Sequence, residues 1–270
     1  MLLGMATVRV AVASTPLTAT LVAGLPPVLA AIEEAGKQGA SIVCLPEAVL
    51  PGHRMQPRPV EEASAEAIEA ALERVAEAAR AAKVVTLVGI ERPTARGREL
   101  VQVVFDASGE RLGEQVKTQV DPGEESLYVA GARRRVFTAA GLTFGIAICH
   151  EVFRYPEITR SLVLAGAQVV FAPHFVTTRD GSLPSCFLDP RAPYNEKALL
   201  CRAMENTVYI AAANVAGPNQ GSVTGIIGPD GALVTSVPYG RTGVVVAELD
   251  LGLATARIAR RWAPERSLIG

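Results

Sequence analysis

Apolar positions in this chain fall into short runs broken by turn residues, interleaved with four stretches of helical period. Thr7 to Ala13 alternates as a half-buried strand does. Leu25 to Gln38 follows with helical spacing. Pro26-Pro27 suits the first turn of a helix starting there, where an N–H has no intrahelical acceptor to lose. Ser41 to Leu45 is a short buried strand that Pro46-Glu47 ends. Glu61 to Lys83 is rich in Ala, Glu and Arg and reads as a helix. Val84 to Ile90 and Glu99 to Asp106 read as strands, and Ala107-Ser108-Gly109-Glu110 turns the chain into Arg111 to Lys117.

Asp121 to Arg133 is an irregular loop punctuated by Gly123 and Gly131. Arg135 to Thr138 and Leu142 to Cys149 are strands about an Ala-Gly turn. Tyr155 to Ala165 is a helix with Pro156 early in it, and Gln168 to Ala172 another buried strand. Val176 to Tyr194 shows no period, and a loop that long is usually functional. Asn195 to Asn206 is a helix and Val208 to Asn214 a strand. Ser222 to Gly228, Ala232 to Ser236 and Val244 to Leu249 complete a second antiparallel group, with Pro229-Asp230-Gly231 as a turn. No short repeat and no linker-like composition shift interrupts the chain. The simplest packing is one α/β domain over residues 1–270, two mixed sheets with helices outside.

Composition narrows the function. The 270 residues are 49% hydrophobic and 20% charged, with a net charge of −1, which favours small neutral or weakly charged ligands over nucleic acid. Cys44, Cys149, Cys186 and Cys201 form no CxxC pair, so a disulfide framework or structural zinc is not expected, and reduced thiols point to the cytoplasm. Val8 to Ser14 contains an A-x-A-like stretch, but no basic segment precedes it and Arg9 interrupts it, so a first strand is expected rather than a signal. Met1 to Gly4 precede a second methionine, Met5, leaving two possible starts. No apolar run reaches transmembrane length.

The chemistry centres on Gly145-Ile146-Ala147-Ile148-Cys149-His150-Glu151, where an apolar strand delivers a thiol to its carboxyl end, the ligand-binding edge of open α/β sheets. A thiol needs a base or a positive charge to act as a nucleophile. Glu47, Lys117 and Glu124 also lie at loop edges of apolar strands. A carboxylate to move the thiol proton and an ammonium to stabilise an oxyanion would complete an acyl-transfer site.

These residues resemble the motifs of the nitrilase, or carbon–nitrogen hydrolase, superfamily over nearly the whole chain. Leu45-Pro46-Glu47 with Pro51-Gly52 is similar to its first glutamate motif. Lys117 with Pro122-Gly123-Glu124, Tyr128 and Gly131 is similar to its lysine motif and second glutamate. Cys149-His150-Glu151 with Arg154-Tyr155-Pro156-Glu157 is similar to its cysteine motif. Arg202 to Asn206, Ala213-Asn214 and Gly228 to Gly231 resemble its C-terminal half. The resemblance implies an α-β-β-α sandwich with no metal or organic cofactor, assembled as a homodimer or larger homo-oligomer. It implies Cys149 as nucleophile, Glu47 as base and acid, Lys117 and the His150 N–H as oxyanion donors, and Glu124 as orienter of substrate or water. The implied substrate is a small amide or N-carbamoyl compound. Nitrile hydrolysis, acyl transfer to an amine and an idle scaffold are the alternatives. Cys149-His150-Glu151 falls between subgroups, since many amidases of the family have Cys-x-Asp and nitrilases place tryptophan before the glutamate.

Each residue also has a plainer reading. Cys149 alone would more often be a small core residue, Glu47 a helix cap and Lys117 a solvated hairpin lysine. Glu125 competes with Glu124 for the second glutamate. His150, His174, Phe175 and Glu151 are candidate pocket residues, with Met55 and the loop to Tyr194 contributing selectivity. Glu151 could instead pair with Arg154. His53 is expected at the surface, Arg133-Arg134-Arg135 in a solvated turn, and Cys44, Cys186 and Cys201 as structural. The three histidines lie on separate segments, with no local metal-binding spacing.

Overall fold

Residues 7–192 and 194–266 are described by the structure, a computed structural model; the possible starts at Met1 and Met5 lie outside them. Strands β1 (Thr7–Ser14), β2 (Ile42–Cys44) and β3 (Val85–Thr94) run parallel, joined by helices α1 (Leu21–Lys37) and α2 (Ala65–Ala82). The chain then doubles back antiparallel through β4 (Gly97–Phe105) and β5 (Arg111–Val116). After β6 (Val136–Ala139), the second half repeats this plan. Strands β7 (Leu142–Ile146), β8 (Val169–His174) and β9 (Tyr209–Asn214) are parallel, with α3 (His150–Arg154), α4 (Pro156–Leu164) and α5 (Asn195–Asn206) in the crossovers. Antiparallel β10 (Thr224–Ile227) and β11 (Leu233–Val237) follow. β12 (Gly243–Asp250) ends the set, and the two six-stranded sheets have the orders β12-β1-β2-β3-β4-β5 and β6-β7-β8-β9-β10-β11.

Side-chain alternation sets the layers. Val10, Val12, Ile42, Cys44 and Leu87 face the second sheet, while Ala11, Ala13, Val43, Leu45 and Val88 pack under α1 and α2. β8 is buried at every position because α4 and α5 cover its outer face. The result is the expected four-layer α-β-β-α sandwich.

Several elements depart from the sequence expectation. α1 starts at Leu21, capped by the Thr20 hydroxyl accepting from Ala23 N at 3.2 Å, so Pro26 and Pro27 lie beyond its first turn. The carbonyls they leave unbonded, on Val22 and Ala23, belong to exposed residues that water reaches. α2 starts only after Ser64, whose hydroxyl accepts from Ala67 N, and Glu61 instead accepts from Leu21 N at the head of α1. β3 and β4 extend as a charged ribbon in which Arg92 lies 2.8 Å from both Glu99 and Glu114, so ion pairs take over where apolar alternation stops. β12 does not join β10 and β11. It pairs antiparallel with β1 in the other sheet along its full length, covering an edge that would otherwise stand open.

Two residues of this frame are tested by substitution. A Cβ on Gly89 of β3 would stand 2.2 Å from the Pro46 carbonyl oxygen and 2.6 Å from Ala48 N. The missing side chain is what lets the segment carrying Glu47 lie on the sheet. We expect Gly89→Ala to cost about 1–3 kcal/mol of stability by overpacking. Gly217→Ala, whose nearest contact would be 3.5 Å, should stay within about 0.5 kcal/mol. Urea denaturation of both variants checks this, and equal midpoints would refute it.

His174 closes β8 fully buried, its Nδ1 2.8 Å from the Ala172 carbonyl oxygen and its ring edge-on to Phe153. Burial depresses its pKa from the ordinary 6.5 to about 4. A depressed histidine stabilises the fold fully above the unfolded value and loses that contribution as pH falls toward the folded one. The loss from this residue between pH 6.5 and 4 should approach about 3 kcal/mol. Denaturation midpoints for His174→Phe should fall less steeply across that window than the parent's; parallel curves would refute the assignment.

Candidate active site

Three strand ends converge. Glu47 lies three residues past β2, Lys117 follows β5 directly, and Cys149 lies three residues past β7. The expected strand into Cys149 holds in its hydrogen bonding, because Ala147 N and Cys149 N still donate to Phe171 and Pro173 carbonyls of β8 at 2.9 Å. Cys149 then adopts φ 49° and ψ −110°, a sparsely populated conformation for a residue with a side chain, and α3 begins at once. This is a strand–cysteine–helix elbow, and the short α3 is hidden in the sequence by its length. Ala48, next to Glu47, is likewise left-handed, with φ 47°.

Lys117 is fully buried, and its Nζ lies 2.8 Å from Glu47 Oε1 and 2.7 Å from Glu124 Oε2. Burial alone would lower its pKa, but the charges of Glu47, Cys149 and Glu124 hold it well above the usual value. Glu124 is buried and Glu125 exposed, which separates the two candidates. Burial would raise the Glu124 pKa. The His53 N–H and the Lys117 ammonium more than offset that and bring it to about 2. Burial and the facing charge of Glu47 keep the Cys149 thiol well above its ordinary pKa, an effect Lys117 only partly opposes.

The backbone of Phe175 joins the two halves of the site. Its N–H donates to Glu47 Oε2 at 3.1 Å, and its carbonyl oxygen lies 3.8 Å from Cys149 Sγ. His150, next to Cys149, is buried, with Nδ1 2.7 Å from Asp121 Oδ2. The loop before α5 carries no helix or strand among the described residues. It is tied down by Glu196, which accepts from Leu188 N at 2.7 Å and from Tyr239 Oη at 2.6 Å.

Two pocket candidates and one residue expected at the surface change role. Glu151 is fully buried and does not reach Arg154. It accepts from Ile148 N and Thr118 N at 2.6 Å each, from Gln119 N, and from the Arg134 guanidinium. It therefore tethers the loop after Lys117 to the cysteine elbow, and the same contact removes Arg134 from the solvated turn expected of it. His174 has no exposed surface to offer a substrate. His53, expected at the surface, is 1% exposed and stacks on Phe175 at 4.5 Å, with Nε2 3.2 Å from Glu124 Oε1. Its only sequence signal is its place six residues after Glu47. Glu47, His53 and Glu124 are also close enough for their ligand atoms to hold a metal ion. Lys117 already supplies the positive charge between the two carboxylates. Cys44 is buried, with its thiol pKa raised by burial, while Cys186 and Cys201 are exposed.

Comparison with known proteins places the chain in a family. Over 125 residues the chain is 29% identical to an (R)-stereoselective amidase of Pseudomonas sp., a match covering 46% of this chain and 40% of that protein. It is 28% identical to a nitrilase of Pyrococcus abyssi, covering 82% of this chain and 81% of the other. A mutant of the amidase from Nesterenkonia sp. AN1, solved after Michael addition of acrylamide at its active site cysteine, superposes with a TM-score of 0.74 and 25% identity. That superposition covers 95% of this chain and all of the other. The carbon-nitrogen hydrolase family model matches residues 9–259, and this chain is a member of that family.

Proposed function

We propose that this enzyme hydrolyses a small amide or N-carbamoyl compound through a thioester on Cys149. The observation that carries the reading is the buried Lys117 ammonium held between Glu47 and Glu124, beside a thiol on a strained elbow. In this reading Glu47 takes the Sγ proton as sulfur bonds to the carbonyl carbon. Lys117 and the His150 N–H receive the oxyanion, and Glu47 returns the proton to the departing nitrogen. Water, oriented by Glu124, then opens the thioester and releases the acid. One catalytic domain over residues 1–270 accounts for these parts, since both sheets contribute to the site.

The thiol's raised pKa supports this order. A free thiolate would face two carboxylates, so proton transfer and attack are best coupled. The Nesterenkonia amidase, whose active site cysteine adds acrylamide, supports sulfur as the reacting atom. Nitrile hydrolysis is the second reading, favoured by the match to the Pyrococcus nitrilase over most of both chains. Ammonia release from a panel of amides, nitriles and N-carbamoyl compounds decides between them. No described helix is long and apolar enough to cross a membrane, and cytoplasmic action on a small molecule fits that.

Cys149→Ala should lose ammonia release by at least about 10³-fold while keeping the fold, and Cys186→Ala and Cys201→Ala should retain most of it. Glu47→Gln should block the acyl-enzyme itself, and Glu124→Gln should let it form and then stall. Intact mass after mixing with an amide reads both steps; an adduct in Glu47→Gln but not in Glu124→Gln would reverse the two roles.

A homodimer is the proposed assembly, built on α4 and α5, where Tyr155, Leu164 and Met204 are exposed. Sedimentation at micromolar concentration should show at least twice the 28.3 kDa chain mass; a single species at the chain mass would refute it.

A further inference from the structure

We infer that His53 is a positioning residue that holds the two site carboxylates in register through one N–H. The inference rests on the amidase reading only for its turnover measurements. His53 Nδ1 accepts from Met55 N at 3.2 Å, which places the ring proton on Nε2. Nε2 faces Glu124 Oε1 at 3.2 Å and Glu47 Oε2 at 3.8 Å. Neither contact has the geometry of a straight hydrogen bond, so this buried donor stands between the two carboxylates without a bonded partner. Unliganded catalytic sites commonly hold such donors long and tighten them around the reacting group.

The ring does a second job. It lies 7° from parallel with Phe175 at 4.5 Å, against the residue whose N–H holds Glu47 and whose carbonyl faces Sγ. One side chain thus touches Glu124 by its edge and the support of Glu47 and Cys149 by its face. The ionisable groups around it are Glu47 after β2, Glu124 and Lys117 after β5, and Tyr128, whose ring lies 5.7 Å away and whose hydroxyl donates to Glu91. Among these, His53 alone offers a donor to the outer oxygen of each carboxylate. Lys117 takes the inner oxygens, Glu47 Oε1 and Glu124 Oε2.

His53→Phe keeps the stacking and removes the donor, while His53→Gln keeps a donor on a side chain of similar reach. In His53→Phe, kcat should fall about tenfold with KM within about threefold, and the acid limb of kcat should rise by about one pH unit as the carboxylate pair loses a hydrogen bond. His53→Gln should move both values back toward the parent. An acid limb in His53→Phe that matches the parent, or a His53→Gln as impaired as His53→Phe, overturns the inference. Alkylation of Cys149 by iodoacetamide, followed against pH by intact mass, needs no substrate. The charge of Glu124 acts on this thiol, so the low-pH inflection should move upward in His53→Phe. If the parent protein releases no ammonia from any amide, the amidase reading fails, and an inflection unmoved in His53→Phe would still overturn the role of His53.

Discussion

A single buried ammonium is the constraint the site is built around. An unpaired charge at the depth of Lys117 would cost several kcal/mol or more, and two carboxylates within 2.8 Å make it tenable. Each of those carboxylates is also too deep to stand alone. Glu47 is held by Lys117 and by the Phe175 N–H; Glu124 is held by Lys117, His53 and the Asp121 N–H. Removing any one of these groups leaves a buried charge on another, so the set functions as a unit.

The fold brings these groups together by repetition. Each half contributes three parallel strands and a hairpin extension, and equivalent strands end at the same place. β2 of the first half delivers Glu47 and β8, its counterpart, delivers Phe175; the two meet in one hydrogen bond. β1 and β9 are clasped near the same rim, where Ala216 N donates to the Thr15 carbonyl at 2.7 Å and the Ser14 hydroxyl donates to the Asn214 carbonyl at 3.0 Å. The site therefore depends on the two sheets docking in register, not only on local loop shape.

Legibility in the sequence followed the range of the forces involved. The strands into Glu47, Lys117 and Cys149 were readable because an apolar run broken by a polar residue is a local signal. Their meeting in space was foreseen only through the family resemblance, since no local pattern states that residues 47, 117 and 149 are neighbours. The sequence groups β12 with β10 and β11, whereas it pairs with β1, because its alternation is the same whichever edge it covers. The burial of His53 is not legible locally, because a lone histidine in a Pro- and Gly-rich loop looks solvated, and the residues that bury it, Phe175, Glu124 and Tyr128, are all distant in sequence. The role of Glu151 is hidden for a related reason. It sits two residues after Cys149, but apart from the Ile148 amide its partners are the Thr118 and Gln119 amides and Arg134, more than 15 residues away.

Charge bookkeeping then constrains the chemistry proposed for the site. With Glu47 and Glu124 ionised and Lys117 protonated, the pocket carries one net negative charge beside a neutral thiol. Ionising Cys149 before substrate arrives would add a second negative charge in the same low-dielectric space, which its raised pKa reflects. Moving its proton onto Glu47 leaves the total unchanged, because one carboxylate is neutralised as the thiolate appears. In the proposed reaction the negative charge then passes to the substrate oxygen, which the only ammonium in the cluster is proposed to receive. A site with one ammonium and two carboxylates is thus matched to a reaction in which charge migrates and never accumulates. An anionic group on the substrate beside the scissile bond would break that balance, so neutral amides should be favoured at this centre over substrates carrying a carboxylate there.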